Sequence, residues 1–258
     1  MNTEKDFLSL LSTLAQEQQF TSTFPRQTTD VHVTFRSLTT AQLKDLVRTA
    51  VDSPLTQSVF NSTASRIFKE SVLSASADIQ LNTLDRLMFL LETRIQTISS
   101  TKKIKTNENE VEIDYINILK SLTEKVKSNG ELFAPMSFNA NNITVICGVP
   151  LIDTEIQLED EVYKNVEIKI DNPEELRKFV GEAFINEIAK SIDTVSIETK
   201  TIETAKIPFK DRLKIIEMLP ASLIQKVIDY IEAYKAVINK CLTIGEYTVP
   251  IDSTLFSA

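Results

Sequence analysis

Four glycines, at positions 130, 148, 181 and 245, are all that this chain of 258 residues contains. An average soluble chain of the same length holds about 18. Loops that cradle phosphate need several glycines close together, because backbone amides must approach the anion without Cβ atoms in the way. Here the four are far apart, so that class of nucleotide site is excluded. The same scarcity leaves few flexible hinges and fits a part built to be held in place.

The other chemistry-bearing residues narrow the field further. His32 is the single histidine, and Cys147 and Cys241 are the two cysteines. A two-histidine metalloprotease site is therefore excluded, and a zinc site would have to lean on carboxylates. No metal or cofactor is expected. The two thiols read as reduced, buried side chains of a cytoplasmic protein. A net charge of −8 argues against a nucleic-acid partner. Lys102, Lys103 and Lys105 form the nearest thing to a basic patch, and acids from Glu108 to Asp114 follow it at once. No apolar run approaches the ~20 residues of a membrane helix, and Glu4 and Asp6 do not suit a secretory signal.

Periodicity supplies the elements. Phe7, Leu8, Leu11, Leu14 and Ala15 predict an amphipathic helix over residues 4–19. Val31, Val33 and Phe35 alternate with His32, Thr34 and Arg36, the pattern of a half-buried strand. Thr39 and Gln42 open a helix as a capping box. Further helices are expected over residues 57–74 and 83–98, then a polar loop or long hairpin over 99–112 and a short helix over 115–126. Ile143, Val145 and Cys147 predict a buried strand; Ile156, Leu158, Val162, Val166, Ile168 and Ile170 read as more short strands. Asn172-Pro173-Glu174-Glu175 predicts the start of a helix running to about 192. A threonine-rich strand over 195–204, helices over 209–218 and 220–241, and a strand-like Tyr247-Thr248-Val249 complete the chain. The expected fold is α+β, with helical N- and C-terminal parts flanking a small, mainly antiparallel sheet. Its three segments are residues 1–100, mainly helical with a short strand, 101–171, β-rich with an exposed loop, and 172–258, mainly helical.

No nucleophile elbow or catalytic dyad is visible. His32 falls on the polar side of its strand, and a pairing with Cys147 or Cys241 would depend on the fold bringing them together. From residue 151 to 190 there are 11 acids and 5 bases, a net of −6, so most of the charge excess is local. Asp153, Glu155, Glu159, Asp160 and Glu161 concentrate it. A hard-cation loop would want a glycine for its tight turn, and none is there. Glu155, Glu159, Asp160 and Glu161 are instead candidates for a partner-docking face, against the alternative of a solvated strand edge. Asp85, Arg86 and Arg94 interrupt an apolar helix and are candidates for structural ion pairs or interface charges. Asp85 also suits the helix N-terminus.

The order of these elements carries a resemblance. Phe24-Pro25, the strand Val31-His32-Val33-Thr34-Phe35-Arg36, and a helix from Leu43 to Val51 closed by Asp52-Ser53-Pro54 make its first part. Leu84-Asp85-Arg86 through Leu90-Leu91 to Arg94-Ile95 make the second, followed by Val149-Pro150-Leu151 and a late helix from Leu219-Pro220-Ala221. The chain resembles the baseplate hub assembly proteins of T-even-like, contractile-tailed bacteriophages (myoviruses). The resemblance implies a non-enzymatic structural or virion-assembly protein without cofactors. Its partners would be other phage baseplate or tail proteins, and oligomers are compatible with it. It would reside in the host cytoplasm during assembly and in the tail baseplate of the virion. Two alternatives stand beside it: an assembly chaperone or adaptor not retained in the virion, and a carboxylate-dependent hydrolase.

Overall fold

The computed structural model describes residues 18–27, 29–49, 56–76, 80–105, 110–164 and 173–256. The helix expected over 4–19 lies outside them except at its end, where Gln19 already begins a strand. The first sheet joins β1 (Gln19–Phe24), β2 (Val31–Arg36) and β3 (Val72–Ala75) in that order, antiparallel throughout. Thr39 caps α1 (Thr40–Arg48) through the expected box with Gln42. Then come α2 (Thr56–Ser71) and α3 (Thr83–Thr97). The hairpin β4 (Thr101–Lys105) and β5 (Glu110–Asp114) leads into α4 (Tyr115–Ser128) and the single turn α5 (Gly130–Phe133).

The largest sheet has four strands in sequence order. These are β6 (Met136–Ala140), β7 (Ile143–Cys147), β8 (Ile192–Ile197) and β9 (Lys200–Glu203). Between β7 and β8 run α6 (Ile152–Leu158), a π-helical turn over Glu159–Tyr163, and α7 (Pro173–Ser191). Helices α8 (Phe209–Glu217) and α9 (Ala221–Leu242) follow, then the two-stranded β10 (Thr243–Ile244) and β11 (Tyr247–Thr248).

The expected fold class is corrected. Among the described residues there are four small antiparallel sheets, not one, and helices run through the whole chain and are not confined to its ends. The main misreading lies at Ile156, Leu158 and Val162, which are helical or in the π turn and not in strands. Their stripe is Ile152, Glu155, Ile156, Leu158 and Val162, a helical spacing. Glu155 sits in the buried stripe, and a carboxylate in an apolar stripe hides the 3.6-residue period. The strand expectation over Val166, Ile168 and Ile170, and the cap at Asn172, lie outside the described residues. Val72 and Ser74, expected in a helix, form β3 and pair with β2.

Turns explain how so few glycines suffice. The β6–β7 hairpin turns at Asn141 (φ 47°) and Asn142 (φ 64°), both left-handed, where a short polar side chain tolerates what glycine usually supplies. Only Gly245 (φ 62°) among the glycines uses that region, at the β10–β11 turn.

Two apolar cores result. The first lies between the β1–β3 sheet and α2, α3 and α4. Phe20, Phe24, Phe35, Phe68 and Phe89 form its centre, with ring centroids 4.9 to 6.1 Å apart. The second packs β7 and β8 against α7, α8 and α9 through Val145, Ile188, Val195, Phe209, Val227 and Tyr234. Helices α6 and α9 serve both. Ile152 and Cys241 belong to the first core, Leu158 and Leu223 to the second.

Candidate functional site

A buried charge cluster occupies the seam where α2, α3, α6 and α7 meet. Arg86 of α3, Glu155 of α6 and Lys190 of α7 are 8%, 6% and 6% exposed. Arg86 bonds the Glu155 carboxylate through Nη1, which also donates to Ser65 Oγ (2.8 Å) and to the Asn61 carbonyl (2.9 Å). Ser65 donates in turn to Glu155 Oε2 at 3.0 Å. Lys190 Nζ reaches Glu155 Oε1 at 3.3 Å and Glu187 Oε1 at 2.5 Å. Lys235 closes the series on Glu187 Oε2 at 3.0 Å, at the surface.

The electrostatics follow from this geometry. Burial works against the Glu155 carboxylate, but Arg86, Lys190 and the Ser65 hydroxyl overcome it and hold the carboxyl below its usual range. Burial likewise opposes the charge on Lys190, and Glu155 and Glu187 more than compensate, so its pKa is raised. Glu187 is desolvated in part, yet Lys190 and Lys235 bring it down to about 2. All are therefore charged at neutral pH. A lysine held protonated is no nucleophile, and carboxylates held ionised are poor general acids. The cluster is an ion-pair clamp across the two cores.

Beside it is a crevice of about 20 Å³ bordered by Asn61, Glu155, Glu159, Glu187 and Lys190. That volume admits one water molecule and no organic substrate. A larger cleft of about 390 Å³ is lined by Lys69, Leu81, Ile152, Asp153, Thr154 and Gln157. It brings one carboxylate, Asp153, already paired with Lys69 at 2.6 Å. Among the described residues no group of three or more His, Cys, Asp or Glu could hold a metal ion. Nor is any described helix long and apolar enough to cross a membrane.

The four acids read as a docking face do not share one. Glu155 is inside the clamp. Asp160 pairs with Arg66 at 2.8 Å and with Lys164 at 3.9 Å. Glu161 Oε2 accepts the Phe209 amide at 2.7 Å, at the start of α8. Glu159 is half-buried, and burial raises its pKa against the pull of Arg66. Glu155, Asp160 and Glu161 each meet a partner within the chain, whereas Glu159 Oε2 is buried without a hydrogen-bond partner, so the four carboxylates do not point outward together.

Asp85, Arg86 and Arg94 part company along α3. Asp85 is wholly buried and takes a bidentate pair from Arg26 (2.8 and 2.7 Å), while its Oδ2 also accepts the Asn82 amide to complete a capping box. Burial is the dominant effect on it and raises its pKa against Arg26. Arg94 lies 5.3 Å from the Tyr115 ring centroid, against α4, whereas Arg86 faces α2 and α6. Eight residues rotate a helix by about 80° beyond two full turns, enough to send the two guanidiniums to different neighbours.

His32 is exposed, and its Nδ1 is 3.0 Å from Thr23 Oγ1. Cys147 is buried, and desolvation together with nearby Asp193 pushes its thiol up to about 12. Lys190 and Arg212 are the charged residues that sequence reasoning passed over. Lys190 sits in Ile188-Ala189-Lys190-Ser191-Ile192, a lone cation in a nearly apolar run three residues after Glu187, and that was its signal. Arg212 is 0% exposed and donates to the Thr204 carbonyl at 2.7 Å and Gln157 Oε1 at 3.3 Å; its guanidinium lies 5.1 Å from the Phe209 ring centroid. Its position three residues after Phe209 and four before Ile216 puts it on the buried stripe of α8, and that spacing was its signal.

No family model matches the chain, and no curated protein or solved structure matches it.

Proposed function

We propose that this chain is a non-enzymatic structural or assembly component of the baseplate hub of a contractile-tailed bacteriophage, working through protein–protein contacts. The family part of this reading rests on the order of sequence elements from Phe24-Pro25 to Leu219-Pro220-Ala221. The contact part rests on one structural observation, the β8–β9 hairpin. Its outer strand, β9, is exposed at every position and, among the described residues, has no neighbouring strand on its far side. Ile197 and Ile202 on this hairpin are 52% and 43% exposed. An open strand edge flanked by exposed isoleucines is suited to pairing with a strand from a neighbouring subunit. The clamp residues are held in charge states that suit binding the two cores together, not acid–base turnover.

Mass spectrometry of purified virions, with deletion of the gene, tests the reading. The expected result is the protein in the particle, and particles with defective baseplates when it is missing. Absence from virions combined with normal tails in the deletion would refute it. Absence combined with a tail defect would favour the assembly chaperone instead. Ile202→Asp in an otherwise intact chain should reduce incorporation while leaving the melting temperature unchanged.

A further inference from the structure

The cleft of about 390 Å³ lies where the two cores meet. It is bordered by the end of α2, the segment before α3, the start of α6 and the turn that follows β9. Its volume falls in the range of small-molecule sites, which favour such seams. Part of the lining is apolar, with Leu81, Leu151 and Ile152. The polar part offers hydrogen-bond donors above a buried cation.

That cation is Arg212, which stands behind two lining residues, Thr154 and Gln157. Its guanidinium is wholly buried, and its hydrogen bonds go to neutral acceptors only: the Thr204 carbonyl, Gln157 Oε1 and, at 3.4 Å, Thr154 Oγ1. Nε has no acceptor. Asp193 and Glu161 attract the guanidinium from further off, and among the described residues no carboxylate forms an ion pair with it. A buried positive charge compensated only at a distance favours an anion nearby.

Thr154 is buried, and its oxygen accepts from Arg212, so its hydroxyl hydrogen is turned elsewhere. Among the described residues nothing accepts that hydrogen. Lys69 is a second donor at the cleft wall. One of its ammonium hydrogens goes to Asp153 Oδ1 at 2.6 Å, and the others are left for a ligand. Asp153 is the one acid among the described lining residues, and its side chain is 70% exposed, able to swing into water.

We propose that this cleft binds a small amphipathic oxyanion, a carboxylate or phosphate on a short apolar body. Lys69 and the Thr154 hydroxyl hold the head in the field of Arg212, the body lies on Leu81, Leu151 and Ile152, and Asp153 gives up Lys69 to the ligand. This goes beyond the hub reading and does not depend on it.

Titration calorimetry on the full chain with hexanoate, hexyl phosphate and hexanol tests it, alongside thermal melts to show that each variant is folded. At least one of the two anions should bind with a Kd of about 0.1–1 mM, and the tighter of them names the head group. Hexanol, which has the body without the charge, should bind at least about tenfold more weakly. Lys69→Met should weaken the anion about tenfold and Thr154→Val about fivefold. Asp153→Asn should tighten it about threefold, because it removes a competing acceptor at an exposed pair. Failure of both anions to saturate the protein up to about 10 mM overturns the proposal. So does hexanol binding as tightly as the anions, an affinity indifferent to Lys69→Met, or a loss of affinity in Asp153→Asn.

Discussion

Glu155→Gln removes one charge from the clamp with almost no change in shape. The carboxylate accepts from Ser65, Arg86 and Lys190 and is 6% exposed. The glutamine keeps one acceptor oxygen and turns an amide NH₂ toward one of the two cations, so buried Arg86 loses the charge that offsets it while Lys190 keeps Glu187 at 2.5 Å. Breaking a buried pair in this way costs about 3–5 kcal/mol. For a chain of this size that lowers the melting temperature by roughly 10 °C. Urea unfolding followed by circular dichroism measures it directly. The pH dependence supplies a second reading. The Glu155 carboxyl is held below the value of 4.5 it has when unfolded, so its stabilisation is complete above that pH and is lost as pH falls through the folded value. Glu155→Gln should therefore be far less stable than wild type at pH 7, with the two curves converging in acid. Replacing Arg86, Glu155 and Lys190 together by Met, Leu and Met should recover most of the loss, because an apolar cluster has no charge to desolvate. A loss under about 1 kcal/mol at pH 7, or curves that stay parallel into acid, would refute the clamp.

Other perturbations follow from the same reasoning. Glu92, which accepts from the buried Ser22 hydroxyl, has its pKa raised by burial from 4.5 to about 7. The folded state therefore binds the proton more tightly, and wild-type stability should fall as pH rises from about 4.5 to 7. Glu92→Gln should flatten that fall and be more stable than wild type at pH 8 by about 1–3 kcal/mol, read from urea midpoints. At Gly148 a Cβ would stand 2.7 Å from Asp193 Oδ2. Gly148→Ala should cost about 1–3 kcal/mol, and adding Asp193→Ala should return part of that loss in a double-mutant cycle. Arg26→Met leaves Asp85 buried without its bidentate partner; denaturation should show a loss of about 3 kcal/mol at pH 7 that shrinks in acid, where Asp85 is protonated.

What could be read along the chain was local. The capping box at Thr39, the alternation from Val31 to Arg36, the buried strand at Ile143 to Cys147 and the long helix after Pro220 all stand where periodicity and capping place them. In each case the signal is a contact between residues a few positions apart, or one face against a core of any kind. The pairing of strands was not legible in that way. β7 joins β8 across 44 intervening residues, and β3 was hidden because Val72 to Ala75 continues a helical pattern until β2 offers it a ladder.

The charged residues mark the division most sharply. Composition and spacing alone set the acid excess after residue 150, the exclusion of glycine-rich phosphate loops and the helical or extended character of most segments. Only the tertiary structure decided that Glu155 belongs to the interior. A carboxylate on an exposed helix and one between Arg86 and Lys190 have the same neighbours in sequence, and the partners that make burial tolerable come from positions 69 residues before and 35 after. Desolvation and its compensation depend on distance in space, so a charge's role was settled by the packing of α3, α6 and α7 and not by the residues on either side of it.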